Sequence, residues 1–406
     1  MHLKNIPKSK FSYPGSQQLA KQKILIISAH KRSLVIFRGS LIKDLISQGL
    51  DVHVAAPELD IPDTFSETLI AFGVTPHPLT ARRVSLNPIA DLSYYLKLRQ
   101  LLDKIRPDIV LSYNVKPAIY GTLAAWQAGV PIRAVLMAGL GFGFAKPSSN
   151  SIKIAVTKAI ARSLMAIALR RSTVVIFQNP DDRETMFSLG IISKNHPTQV
   201  VAGSGVDLNY FYPHPLTSEK TSFLMLSRLL VSKGVREYVA AAKEIRSRHP
   251  NSTFILAGDI DINPDAITPE ELESWQQEGH IDYLGRVSDV RPLLAACSVY
   301  VLPSAYPEGV PRSILEALAT GRAIVTSDAP GCRETVKPGK NGFLIEPRNC
   351  HQLVKVLDHL CTAPQLVAQM GAESLKLAQE KFDVRQVNAD MLKALGLQMT
   401  FKDKES

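Results

Sequence analysis

The chain has 406 residues, of which 45 % are hydrophobic and 21 % charged; at about 150 residues per domain this is a globular composition too long for one core, and two or three domains are expected. No apolar run approaches the roughly 20 residues that span a bilayer, the most apolar stretch, Ser163 to Leu169, being flanked by Arg162, Arg170 and Arg171. The net charge of +10 sits entirely in the first half, where residues 1–210 hold 25 Lys and Arg against 13 Asp and Glu; the rest holds 22 against 24. This bias suits an anionic membrane surface or a diphosphate substrate, and nucleic acid is set aside for want of interleaved aromatics or a zinc-finger or RNA-binding signature.

Residues 1–22 are polar and basic without the apolar segment of a signal peptide. They are expected to be a disordered tail, with a cytoplasmic location as the default. From there, short Val- and Ile-rich runs alternate with helix-length segments. Strands are expected over Ile24 to Ser28, Val52 to Ala55, Asp108 to Ser112 and Val174 to Phe177. A second series follows over Phe223 to Ser227, Phe254 to Gly258, Ile281 to Gly285, Val299 to Pro303, Ala323 to Ser327 and Phe343 to Ile345. Near-continuous apolarity with intervening helices indicates parallel strands covered on both faces, so the class is α/β, doubly wound. The series restarts after a polar linker, Asn209 to Lys220, which holds Pro213 and Pro215. The expected division is a first domain over 23–210, a second over 211–383 and a helical segment over 384–406 that returns to the first. In such sheets ligands bind beyond the C-terminal strand ends, which puts the site in the cleft between the domains.

In the first half, the loop after the first strand reads Ser28-Ala29-His30-Lys31-Arg32, with Gly39 further on, and the third strand ends at Asn114-Val115-Lys116. His30, Gly39, Asn114 and Lys116 are candidates for acceptor or donor contacts; structural loop residues are the competing reading. Gly139 and Gly141 open the run GLGFGF, which mimics a dinucleotide fingerprint. Such a site wants an acidic residue about 20 positions on, and none stands between Phe144 and Arg171. Glycine hinges beside an acceptor cleft fit better, which adds Gly139 and Gly141 to the acceptor or donor loop candidates. Residues 151–171 mix Ile152, Ile154, Val156, Ile160, Leu164 and Met165 with Lys153, Lys158, Arg162, Arg170 and Arg171. They read equally as an interfacial amphipathic helix and as a buried helix with basic ends.

In the second half, Arg228 and Lys233 follow a strand and precede an amphipathic helix. Two cations beside a helix N-terminus suit a diphosphate. Gly285-Arg286-Val287 offers bare backbone to the edge of a planar base. The run VLPSAYPEGVPRSILEA places Glu308, Gly309 and Val310 in a loop, Pro311 at a helix start and Glu316 inside that helix. Its two carboxylates can touch different parts of one ligand, or be two solvated glutamates. Cys297, Cys332, Cys350 and Cys361 show neither C-x-x-C nor paired-His spacing, so no zinc site or disulfide framework is indicated.

In order, SRLLVSKG, LGRVSDV, LPSAYPEGVPRSILEA and TSDAPGCRE resemble, over about Ser222 to Pro347, the nucleotide-sugar domain of retaining family 4 glycosyltransferases of the GT-B fold. FRGSLIKDLISQGLDVHVAAP, KPAIYGTLAAWQAGVP, FQNPDDRETMFSLG and GSGVD resemble the branch that extends polyprenyl-diphosphate-linked sugars, N-acetylgalactosaminyltransferases among them. The resemblance implies two Rossmann-like domains facing a central cleft. Arg228 and Lys233 would lie on the donor diphosphate, Glu316 on the ribose, Glu308 against the sugar, the amides of Gly309 and Val310 towards sugar or phosphate, and the backbone at Arg286 and Val287 on the base. Glu308, Arg228 and Lys233 are the expected catalytic residues, with no metal or other cofactor required. The implied activity moves a hexose or N-acetylhexosamine with retention from a nucleoside-diphosphate sugar, UDP as the nucleotide, to a glycan or lipid-linked acceptor. The enzyme would work in the cytoplasm or on the inner face of the membrane. The alternatives are a sugar-nucleotide epimerase and a non-catalytic nucleotide-sugar-binding subunit of a glycan assembly complex. Many relatives carry glycines in the first loop and a histidine before GLG, where this chain has Met137 and Ala138.

Overall fold

The computed structural model describes residues 21–79, 88–140, 152–216, 220–261 and 263–397, with backbone alone over 152–155. The expectations for residues 1–20 and for residues 141–144 of GLGFGF, Gly141 among them, fall outside these. Among the described residues, thirteen strands form two sheets. The first contains β1 (Lys23–Ile27), β2 (Asp51–Ala56), β3 (Thr75–Pro78), β4 (Ile109–Tyr113), β5 (Ile132–Met137), β6 (Val174–Phe177) and β7 (Thr198–Val200). The second contains β8 (Ser222–Leu226), β9 (Thr253–Ala257), β10 (Asp282–Tyr283), β11 (Val299–Leu302), β12 (Ala323–Ser327) and β13 (Gly342–Ile345). Their orders are β3-β2-β1-β4-β5-β6-β7 and β10-β9-β8-β11-β12-β13. Every strand pair is parallel.

All ten expected strands form. The period of two along β1 shows why its run is apolar throughout: Ile24 and Ile26 enter one core layer, Leu25 and Ile27 the layer on the opposite face, and all four are fully buried. Strands β3, β5 and β7 were not expected from the sequence. Pro76 and Pro78 argue against a strand, and β3 accommodates them because it is an edge. Strand β7 is the opposite edge and only three residues long.

In each sheet the connections run outwards in both directions from a central pair, β1 with β4 and β8 with β11. These are the topological switch points, where the loops diverge and leave a crevice beyond the strand ends. The chain crosses between sheets twice, and the crossings are bonded to each other. Val206 donates to the Phe382 carbonyl at 2.8 Å and Val384 to that of Val206 at 3.0 Å. Gly205, at φ 68°, allows this contact, because a Cβ there would stand 2.6 Å from the Val384 Cα. The helix Val384–Ala394 buries Val387, Met391 and Leu392 in the layer beneath Ile24 and Ile26. Its Asn388 donates to Asp44 at 2.6 Å and to Ser40 at 3.1 Å. The segment expected as a linker is pinned to the second sheet: Phe211 is buried in that core, and Arg322 donates to the His214 carbonyl at 2.8 Å.

Candidate functional site

On the second-sheet side, the turn Val231–Lys233 ends at Gly234, whose φ is 81°. A Cβ at Gly234 would collide with the Pro303 carbonyl. Only glycine therefore lets the loop after β8 lie against the loop after β11. Ala305 donates to the Ser232 carbonyl at 2.8 Å and locks the two loops together. The result is an ion pair between the Lys233 ammonium and the Glu308 carboxylate, with 12 % and 13 % of the side chains exposed. The Ser304 hydroxyl donates to the same Glu308 oxygen at 3.2 Å, and the Lys233 nitrogen lies 5.5 Å from the Tyr306 ring centroid. Burial, with the Glu308 charge, pushes the Tyr306 phenol upwards.

Glu316 lies on the helix Arg312–Ala319 and accepts from Arg312 Nε at 2.8 Å, with 12 % of its side chain exposed. Burial raises its carboxyl above the usual range, and Arg312 opposes that rise. The amides of Gly309 and Val310 donate to no group among the described residues. Arg228 is half-exposed and turned to Asp261 at 2.8 Å; Arg286 is exposed, 3.8 Å from Asp259. Their loops meet at Gly258, which donates to the Gly285 carbonyl at 2.8 Å and faces the Ser227 carbonyl too closely for any Cβ. Val287 lies beside Arg286 and packs on the second core.

On the first-sheet side, His30 precedes the helix Lys31–Ser47 and makes no side-chain cap. Its amide donates to Ser28 Oγ at 3.1 Å. Asn114, at φ 71°, accepts from the Ala29 amide at 3.1 Å, which ties the loops after β1 and β4 together. The structure thus brings His30 and Asn114 to one strand-end cluster with Ser33 and Tyr113, whose hydroxyls are 3.0 Å apart.

Two sequence candidates are placed differently. Lys116 pairs with Asp91 at 2.6 Å, and Asp91 also accepts from Tyr120 at 3.0 Å, so this lysine is engaged with the neighbouring helix Pro88–Ile105. Gly39 lies within the helix Lys31–Ser47, two turns beyond the β1 loop, where a Cβ would stand 3.4 Å from the Phe72 ring.

The seam between the two halves holds one of the sequence candidates, Gly139, together with Asn179, Asp181, Asp182 and Arg333, which the sequence did not expose. Gly139, at φ 94°, lies so close to the loop after β11 that a Cβ would stand 2.9 Å from the Gly309 nitrogen. Asn179, fully buried, donates to the carbonyls of Gly309 at 2.7 Å and Glu308 at 3.2 Å and faces Asp182 at 3.0 Å. Burial pushes the Asp182 carboxyl up to about 7. Arg333 bridges to both oxygens of Asp181 at 3.0 Å. The run Asn179-Pro180-Asp181-Asp182 carries a legible signal, that of a helix N-cap, and Asn179 does accept from the Asp182 amide at 2.8 Å. The other edge of the amide reaches 130 residues along the chain, which no local spacing encodes.

The sequence profile of glycosyl transferases group 1 matches residues 220–363, and that of glycosyl transferase 4-like proteins matches residues 23–179. The chain is 31 % identical over 334 residues, 79 % of its length and 84 % of the relative's, to N,N'-diacetylbacillosaminyl-diphospho-undecaprenol alpha-1,3-N-acetylgalactosaminyltransferase of Campylobacter jejuni. It is 29 % identical over 77 % of its length, and 80 % of the relative's, to UDP-Gal:alpha-D-GlcNAc-diphosphoundecaprenol alpha-1,3-galactosyltransferase of Escherichia coli. Among solved structures, Anabaena HepE in complex with UDP superposes with a TM-score of 0.73 at 21 % identity, over 92 % of this chain and 100 % of that one. Sucrose-phosphate synthase of Thermosynechococcus elongatus gives 0.75 at 19 %, over 92 % and 98 %. These likenesses show the GT-B fold.

Proposed function

Because the chain belongs to the group 1, 4-like family of glycosyltransferases, we propose that it moves a hexose or N-acetylhexosamine, with retention, from a UDP-sugar to a polyprenyl-diphosphate-linked sugar. The observation that carries this reading is the joined pair Lys233 and Glu308 at the β8/β11 switch point, with Glu316 in the helix that follows. Lys233 and Arg228 take the donor diphosphate. The buried carboxylate of Glu316 holds ribose hydroxyls, and Glu308 lies against the sugar with the amides of Gly309 and Val310. As the glycosidic bond to phosphate breaks, negative charge grows on the leaving diphosphate, where a preorganised ammonium and a helix N-terminus stabilise it most. These groups supply the charge that a metal would otherwise bring. The acceptor hydroxyl enters on the same face as the leaving group, which retains the anomeric configuration. The two relatives' names specify undecaprenyl-diphosphate-linked sugars as substrates, and this supports a lipid-linked acceptor here.

The acceptor's lipid places the enzyme at an anionic membrane surface through its basic half. No described helix is long and apolar enough to cross a membrane. The helix Ile152–Arg171 instead buries Met165, Ala168 and Leu169 and exposes Val156, Ile160 and Ile167 in one stripe near Arg170 and Arg171. Lys158 is buried and does not join that face. Arg171 stacks 4.1 Å over the exposed ring of Trp126 beside it, a pairing suited to a headgroup layer.

Thermal shift with UDP, GDP, ADP and UDP-sugars tests the donor site, since a ligand that binds the folded state raises Tm by mass action. Stabilisation by UDP species without magnesium, lost in Glu316→Ala, is the expected result. Stabilisation by no nucleotide would overturn the reading.

A further inference from the structure

Arg38 is buried to 4 % exposure on the helix Lys31–Ser47, two turns beyond the loop after β1. Side chains on a helix lean towards its N-terminus, so Arg38 is carried towards the strand ends that face the cleft. Its guanidinium carbon lies 5.6 Å from the centroid of the Tyr113 ring, next to the cluster of Ser28, Ser33 and Asn114. Its Nε is fully buried without a partner, and no carboxylate, carbonyl or hydroxyl among the described residues bonds the guanidinium. From the opposite half of the molecule comes Arg312, whose guanidinium carbon is 5.8 Å from the ring centroid of Phe37, the residue before Arg38. Burial, opposed by Tyr113 and reinforced by repulsion from the Arg312 charge, draws the Arg38 guanidinium down to about 10.

Two cations thus converge on the cleft from facing halves. Glu316 neutralises Arg312; no group among the described residues neutralises Arg38. A buried charge without a partner is strongly destabilising, and an apolar side chain of the same length over Tyr113 would avoid that cost. The contrast with Arg322 is informative. That guanidinium is equally buried but has the His214 carbonyl as a partner, and it lies at the opposite end of its sheet, just before β12. Among the described residues, Arg38 alone combines burial, a guanidinium without a hydrogen-bond partner and a place beside the cleft.

We propose that Arg38 is a phosphate-binding residue, gripping oxygens of a diphosphate that enters between the two halves, opposite Lys233 and Arg228. The planar guanidinium suits this role because it can offer two parallel N–H donors to a phosphoryl group. A diphosphate between Arg38 and the second-sheet cations neutralises the repulsion with Arg312 and draws the two halves together. The identity of the anion rests on the transferase reading, in which both the nucleotide donor and the lipid-linked acceptor carry a diphosphate.

The test compares wild type with Arg38→Met and Arg38→Lys. UDP and inorganic pyrophosphate are titrated by calorimetry, KM is measured separately for donor and acceptor, and Tm is recorded without ligand. The expected result is an Arg38→Met protein that melts no lower than wild type, binds pyrophosphate at least tenfold more weakly and shows a KM raised at least tenfold for one substrate. A rise for the UDP-sugar, with weaker UDP binding, assigns the donor diphosphate; a rise for the acceptor with UDP binding intact assigns the acceptor's. Arg38→Lys, which keeps the charge but not the planar fork, falls between, and it carries the same comparison if Arg38→Met does not fold. Pyrophosphate affinity and both KM values within twofold of wild type in a folded variant would overturn the proposal, as would a fall in Tm with unchanged binding, which marks a purely structural stack on Tyr113. A wild-type protein that binds pyrophosphate through Arg38 yet transfers no sugar would sink the transferase reading and leave this one standing.

Discussion

Lys233 carries the heaviest demand in the proposed reaction, because its charge is both buried and already aimed by Glu308, Ser304 and Tyr306. A charge-assisted contact contributes about 1.5–3 kcal/mol, and more where the charge grows in the transition state. Lys233→Ala is therefore expected to lower kcat/KM by at least about tenfold to a hundredfold with the fold intact, measured by steady-state transfer and circular dichroism. Asp182 gives a prediction of a different kind. Its folded carboxyl is raised to about 7, so the folded state holds the proton more tightly than the unfolded chain, which releases it near pH 4. By linkage, the stability that Asp182 contributes is fully present below pH 4 and is lost as pH rises towards 7. Asp182→Asn removes that slope and is expected to raise stability at pH 8 by about 1–3 kcal/mol, read from urea denaturation at pH 5 and 8. The places of Arg228, Lys233 and Glu308 in strand-end loops, and of Glu316 in the helix that follows, were legible because their flanks are recognisable. Asn179 and Arg38 were not. What marks them is a contact, or the lack of one, across the seam, and neither leaves a local spacing in the sequence.

At the scale of elements, the loop that carries Glu308 is held from all sides: by Gly234 beneath it, by Asn179 and Gly139 across the seam, and by Gly331, where a Cβ would collide with the Gly309 carbonyl. Gly234→Ala forces an L side chain into a left-handed conformation against the Pro303 carbonyl. It is expected to cost about 2–3 kcal/mol and to displace Lys233, so that urea denaturation and turnover fall together. Asn179→Ala leaves two carbonyls short of a donor and is expected to lower kcat more than the donor KM, since it loosens the Glu308 loop without touching the nucleotide. Strands with unbroken Val, Ile and Leu runs could be read directly, because burial on both faces demands them. Strand β5 could not, because Arg133 breaks its apolar run. The Arg133 side chain bends back to the Arg171 carbonyl at 2.7 Å, outside the core that the rest of β5 fills.

For the whole molecule, the division of charge matches the division of labour proposed for the two halves. The positive excess belongs to residues 1–210, the part that would meet an anionic surface, while the near-neutral second half carries the donor residues. Binding to vesicles containing anionic lipid is expected to weaken steeply between 50 and about 500 mM salt, since screening shortens the Debye length from about 14 to 4 Å. Cosedimentation measures it, and substitution of Arg170 and Arg171 by glutamate is expected to abolish it without altering UDP affinity. The central claim, that the cleft transfers a sugar onto a lipid-linked acceptor, is tested most directly by incubating the enzyme with UDP-sugars and a polyprenyl-diphosphate-linked sugar and examining the lipid product by mass spectrometry and anomeric proton NMR. The account expects the acceptor's mass to grow by one hexose or N-acetylhexosamine in the donor's own anomeric configuration, with product formed at least about tenfold more slowly by Lys233→Ala. Release of free or epimerised sugar at the same rate with and without acceptor, or a product of inverted configuration, would contradict it.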